Sequence, residues 1–145
     1  DLLQGNEGDA SAATRQHFIK LGWQYFLENP IIGYGINCFK TIPGSYGTYS
    51  HNNYIELLFS VGIIGALSYY LIHASILINA LKRNFLNKTN NAILAITFTS
   101  ILIITDIGRV SYYTRSSLMF LVICFVLIER KNFKNEINQS SSKSL

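Results

Sequence analysis

Apolar and polar positions fall in long blocks along this chain. Residues 1–10 are polar and read as a loop. Phe18, Leu21, Gly22, Tyr25 and Phe26 then recur at i, i+3, i+4, i+7 and i+8, which predicts a helix with one apolar stripe. Ser11 or Thr14 can cap this helix, and it is expected to reach about Glu28. Pro30 ends it, because the residue before a proline is pushed out of the α region. A stretch punctuated by Gly33, Gly35, Pro43, Gly44 and Gly47 follows. From Asn53 to about Leu81 the chain stays apolar for longer than the ~20 residues that cross a bilayer. Two further apolar runs follow, Asn91 to about Ile107 and Ser117 to Ile128.

The expected organisation is an outer loop with an amphipathic helix over 1–50 and a span over 51–81. An inner connection (82–90), a second span (91–107), an outer turn (108–116), a third span (117–129) and an inner tail (130–145) complete it. The fold class is all-α, a polytopic membrane helix bundle present as a fragment with about three spans. The third run becomes long enough only if the tyrosines or serines before it enter the interface.

Composition agrees with a membrane setting. The chain is 49% hydrophobic and only 14% charged, against about a quarter charged in soluble domains. The net charge is +4, but its placement says more. Lys82, Arg83 and Lys88 lie in one short connection, and Arg130, Lys131 and Lys134 follow the last apolar run. These are the expected cytoplasmic ends under the positive-inside rule. The outer loop also carries Arg15, Lys20 and Lys40, but long loops translocate regardless of charge. The basic residues flank apolar spans without interleaved aromatics, which argues against nucleic acid. Residues 1–15 lack the apolar core of a signal peptide. Cys38 and Cys124 occupy opposite environments, so no disulfide is expected between them, and no metal-ligand spacing occurs among the cysteines and histidines.

The chemistry is expected at the mouth of the first span, where Ser50-His51-Asn52-Asn53-Tyr54-Ile55-Glu56 concentrates polar groups. Polar residues at a bilayer edge are costly and are functional candidates by default. A neutral His51 imidazole can take a proton from a sugar hydroxyl, as a general base does; otherwise it hydrogen-bonds the helix start. Asn52 can orient that ring or a substrate hydroxyl. Asn53 and Glu56 resemble an N-cap and its partner three residues on. Arg15 offers a fork that matches phosphate oxygens, and Arg109 and Arg115 on the same face add to it. The plain alternatives are a solvated Arg15, snorkelling of Arg109 and Arg115, and an Asp106–Arg109 pair. His73 reads as a packed mid-helix residue. The glycine-rich loop is either turn chemistry or a backbone cradle for an anion. Gly62 and Gly65 suit close packing of a neighbouring helix or lipid. Trp23 and the tyrosines suit the membrane–water interface.

Two segments resemble bacterial O-antigen ligases and polymerases, the Wzy/WaaL-like membrane glycosyltransferases. One runs from Arg15 through Trp23–Phe26 to Asn29-Pro30-Ile31-Ile32-Gly33-Tyr34-Gly35 and Phe39. The other is His51-Asn52, nine intervening positions, then Gly62-Ile63-Ile64-Gly65. The resemblance covers about residues 11 to 70. It implies that His51 is the essential outer-face histidine and Arg15 the loop arginine contacting the lipid diphosphate. It implies a glycan donor on undecaprenyl diphosphate, an inverting transfer, and need of neither metal nor cofactor. It also implies a C-type glycosyltransferase-like bundle in the bacterial inner membrane, with the C-terminus cytoplasmic. Flippase and chain-length regulator proteins are the implied protein partners. A further essential arginine is expected before Asp1, so the chain is expected to be the C-terminal part of a larger protein and inactive alone.

The first functional expectation is a polymerase of capsule or O-antigen repeat units, favoured by the wording Tyr49-Ser50-His51-Asn52-Asn53-Tyr54-Ile55-Glu56. The alternative enzyme is a ligase that passes the glycan to lipid A core or protein. The alternative of another class is a flippase or transporter of lipid-linked sugars. A flippase should place ionisable residues along a central path, whereas here they collect at one face.

Overall fold

A computed structural model describes residues 5–87 and 90–128, and all of the secondary structure among them is helical. Helix α1 spans Gly5–Glu28 and is followed by a 3-10 turn at Phe39–Thr41. Helix α2 spans Asn53–Asn87 and α3 spans Asn90–Thr105. A fourth helix, α4, covers Arg115–Ile128. Helices lie at the expected helical segments, with shifted limits. Helix α1 begins at Gly5, ahead of the expected Ser11 or Thr14 cap. Helix α2 continues through Lys82 and Arg83 to Asn87, so most of the expected inner connection is helical. Lys88 and the 130–145 tail with Arg130, Lys131 and Lys134 lie outside the described residues.

One helix, Asn53–Leu86, is long and apolar enough to cross a membrane, and Asn90–Thr105 and Arg115–Ile128 are shorter apolar helices. Many of their large side chains are exposed, among them Leu71, Phe85, Ile104, Met119 and Val122. Removing apolar surface of this kind from water is favourable.

The chain divides into two units. The first contains the residues up to Tyr70 together with Ile104–Thr114; the second contains Leu71–Ile103 and the chain from Arg115. In the second unit, Ile76 and Ala80 of α2 pack with Ala95 of α3 and with Leu121, Cys124 and Ile128 of α4. His73 is buried, as its mid-helix position suggested. Cys38 and Cys124 are both free thiols.

The first unit is built on three phenylalanines. Phe18 of α1, Phe39 of the 3-10 turn and Phe59 of α2 are fully buried together, with Leu21, Tyr25, Tyr34 and Ile42 around them. Each such ring contributes about 1.5–3 kcal/mol over the exposed state. The stripe read from the sequence is the inward face of α1: Phe18, Gly22 and Phe26 are buried and Leu21 and Tyr25 partly so. At Gly22 the two helices approach so closely that an added Cβ would meet the side chains of Ile55 and Phe39.

Helix α2 is broken at Gly62, whose backbone sits at φ 63° and ψ −168°. This region is essentially confined to glycine. The segment after α1 fills the break. The Ile63 N–H donates to the Pro30 carbonyl at 2.8 Å and the Ile64 N–H to the Ile31 carbonyl at 3.4 Å. In return, the Phe59 carbonyl accepts from the Tyr34 N–H at 2.9 Å and the Ser60 carbonyl from the Gly35 N–H at 2.8 Å. A regular helix would have joined Ile63 to Phe59 and Ile64 to Ser60. The loop thus supplies partners to the Ile63 and Ile64 N–H groups and to the Phe59 and Ser60 carbonyls. Within an apolar medium nothing else could, and each orphan would cost several kcal/mol.

This exchange accounts for glycines in both segments of the resemblance. A Cβ on Gly62 would collide with the Ile31 carbonyl, and one on Gly33 would lie 2.5 Å from the Phe59 carbonyl oxygen. Gly65 faces Val61 of its own helix. The close packing expected at Gly62 and Gly65 therefore occurs inside the chain, against the 30–35 loop and Val61.

Candidate active site

The site is assembled at the start of α2. Asn52, not Asn53, is the N-cap: its Oδ1 accepts the Ile55 N–H at 3.1 Å. Its Nδ2 donates to the Ile107 carbonyl at 3.2 Å, so both ends of the Asn52 amide are engaged within the protein. Asn53 is displaced from the expected capping role because its side chain is fully buried among other partners. Its Oδ1 accepts the Ser111 N–H at 2.7 Å and the Tyr112 N–H at 3.0 Å. Its Nδ2 donates to Asp106 Oδ2 at 3.0 Å and to the Tyr70 hydroxyl at 3.3 Å. Its backbone N–H donates to the Asp106 carbonyl at 2.8 Å. Asn53 is the rivet between α2 and the turn that follows α3.

Asp106 is buried and does not depend on Arg109. Tyr70 donates to its Oδ2 at 3.0 Å, and Ser111 Oγ donates to its Oδ1. The Arg109 side chain is exposed, two residues beyond the Ile107 that Asn52 holds. The main chain turns at Ser111–Thr114, where burial pushes the Tyr112 phenol up.

Glu56 is also buried, and its carboxylate accepts the Ser50 N–H at 2.7 Å. Ser50 Oγ in turn donates to the Asn52 carbonyl at 2.8 Å. Glu56 therefore reaches back beyond the cap and braces the two residues on either side of His51. A carboxylate near a helix N-terminus is favoured by the dipole, and here it also fixes a turn.

His51 stands in the middle of that brace with φ 57°. A non-glycine residue in this left-handed region is uncommon and stores strain. The ring is half-buried between Phe18, stacked at 6.1 Å and 15°, and Tyr49, 4.2 Å away. Its two nitrogens have no hydrogen-bond partner among the described residues. Aromatic rings flank the imidazole while its nitrogens stay unengaged by the described residues, as a proton-transfer group requires.

Arg15 is exposed on α1. It lies three residues before Phe18, so the helix sets it one turn from the ring that rests on His51, about 4.5 Å along the axis. Arg15, His51, Asp106 and Arg109 thus belong to one unit, while Arg115 belongs to the other. Among the described residues, no cluster of three or more His, Cys, Asp or Glu suits a metal ion.

The glycine-rich loop closes turns on itself. The Ser45 N–H donates to the Ile42 carbonyl, the Thr48 N–H to the Ser45 carbonyl and the Gly47 N–H to Ser45 Oγ. Gly33 and Gly35 serve the helix break, so turn chemistry describes this segment. Reasoning from sequence missed Phe18 and Tyr49 as the supports of His51. The first carries a signal, since it heads the inward stripe three residues after Arg15; the second carries none.

Residues 2–70 match the family model described as O-antigen ligase. No curated protein and no solved structure matches the chain. The matched stretch holds α1, the loop that enters the helix break, His51 with its braces, and the break itself. Over residues 2–70, just under half of its length, the chain is similar to the O-antigen ligase family.

Proposed function

We propose that the protein is a membrane glycosyltransferase that moves a growing glycan from undecaprenyl diphosphate onto a lipid-linked repeat unit, at the outer face of the bacterial plasma membrane. The observation that carries this reading is His51, braced in a strained turn with its ring edge unengaged, inside the stretch matched to the O-antigen ligase family. In the proposed step His51 accepts the proton of the acceptor hydroxyl. The acceptor oxygen bonds to the anomeric carbon, and the bond from that carbon to the diphosphate oxygen breaks. The electron pair leaves with undecaprenyl diphosphate, and attack opposite the leaving group inverts the centre.

Arg15 is the proposed contact for the departing diphosphate, whose charge needs a fixed cation. Arg109 is a second candidate, because Asn52 ties its segment to the His51 turn. Asn52 is better assigned to that tie than to substrate. The proposed topology has three passes, with His51 and Arg109 outside and the C-terminus in the cytoplasm. The exposed apolar side chains of α2, α3 and α4 support it.

A ligase that delivers the glycan to lipid A core or protein is the second reading, favoured by the description of the matched family. One experiment separates the two. The full-length protein in lipid receives undecaprenyl-diphosphate repeat units, with the His51→Ala protein alongside, and products run on a gel. A ladder that needs His51 supports the polymerase. Transfer only after lipid A core or a protein acceptor is added supports the ligase. A ladder that survives His51→Ala sinks the assignment of the base.

A further inference from the structure

Two exposed tyrosines, Tyr46 and Tyr49, belong to the aromatic group around His51. Tyr46 is 80% exposed and holds a left-handed backbone, φ 53°, between Gly44 at 85° and Gly47 at 74°. A tyrosine in that conformation is strained, and an exposed ring returns little burial in exchange. Tyr49 is 42% exposed while one part of its ring lies against His51, 4.2 Å away. Neither phenol hydroxyl has a hydrogen-bond partner among the described residues.

Their placement is nevertheless well defined. The Tyr46 ring rests on His17 at 5.9 Å and on Phe18 at 6.2 Å. His17 Nε2 lies 3.0 Å from the Gly44 carbonyl, which pins the loop to α1. Phe18 is the same ring that stacks on His51. The aromatic group therefore runs continuously from Tyr46 through Phe18 and His51 to Tyr49, with its two ends open.

We propose that Tyr46 and Tyr49 form the acceptor-sugar subsite, an aromatic platform that stacks a pyranose ring so that its hydroxyl reaches His51. This rests on the reading of His51 as the base and names the residues that present the acceptor to it. A pyranose offers one face of C–H bonds and an edge of hydroxyls. The tyrosines match it with a ring face and a free phenol oxygen, an apolar body with a polar tip. The charged diphosphate has no complement on this platform, so the site discriminates the acceptor end of the substrate from the donor end. The sugar that stacks here is the one at the non-reducing end of the acceptor, where the new bond forms.

The test uses the full-length protein in lipid, undecaprenyl-diphosphate repeat units as substrate, and the lipid-free repeat-unit oligosaccharide as a competing probe. Tyr46→Ala is the cleaner variant, because the Tyr46 ring pairs with His17 and Phe18, whereas the Tyr49 ring pairs with His51 itself. It should raise the half-inhibiting concentration of the free oligosaccharide about tenfold, and the KM for repeat units in proportion. The turnover at saturating substrate should change less than twofold. Tyr49→Ala should raise the same two quantities, and Tyr49→Phe should restore them to within a factor of about two. Unchanged inhibition and KM in both alanine variants, with wild-type product still formed, would overturn the platform and leave the transferase reading standing. A fall in thermal stability with unchanged inhibition would equally overturn it, by showing that the tyrosines serve the fold. Absence of product from the wild-type protein with every acceptor would instead refute the transferase reading.

Discussion

Replacing Gly62 with alanine is the sharpest probe of this architecture. The Gly62 backbone lies at φ 63° and ψ −168°, and holding a residue with a side chain there costs roughly 1–3 kcal/mol. The new methyl would also drive into the Ile31 carbonyl, which is backbone and cannot rotate away. Displacing that strand opens the bonds from Ile63 and Ile64 to Pro30 and Ile31, at about 1 kcal/mol each. The sum is about 3–5 kcal/mol against the docked loop. Hydrogen exchange of the full-length protein in lipid reads this directly at residues 33–35. Their protection should fall on the order of a hundredfold or more, and activity should fall with it, because the same loop leads from α1 to the His51 turn. Gly47→Ala is the control. Its φ is 74° but the space around it is empty, so it carries only the backbone cost of roughly 1–2 kcal/mol. Equal exchange at residues 33–35 in the two variants would falsify the account of Gly62 as the seat of the inserted loop.

Asn53→Ala removes four side-chain hydrogen bonds and leaves the Ser111 and Tyr112 amides buried without an acceptor. It should cost about 2–4 kcal/mol, and a thermal-shift measurement that finds less than 1 kcal/mol would remove Asn53 from its structural role. His51→Gly and His51→Ala should both be inactive, yet the glycine variant should be the more stable by about 1 kcal/mol, since it relieves the left-handed strain; the opposite order in denaturation would show that φ 57° stores no strain. Phe18→Leu keeps an apolar side chain but removes the ring under His51, so stability should drop by about 1 kcal/mol while turnover falls more than tenfold; a fall in turnover no larger than the fall in folded protein would count against ring support.

The sequence by itself was enough for the helical character of the chain, the inward stripe of α1, one span-length apolar helix and the position of His51 at its mouth. These follow from local rules. A 3.6-residue period, a run of apolar residues and a proline act within a few residues of themselves, so they can be read in order along the chain. What the tertiary structure decided is which polar group answers which. Asn53 resembles a cap by spacing, but Asp106, Ser111 and Tyr112 claim its amide from more than fifty positions away. Asp106 has Arg109 as a near neighbour in sequence, yet Asn53, Tyr70 and Ser111 reach its carboxylate once buried. Gly62 reads as a packing glycine and is instead the opening through which Pro30–Gly35 completes the helix. In each case a buried donor or acceptor must be satisfied wherever in the chain its partner lies, and no local pattern records that distance.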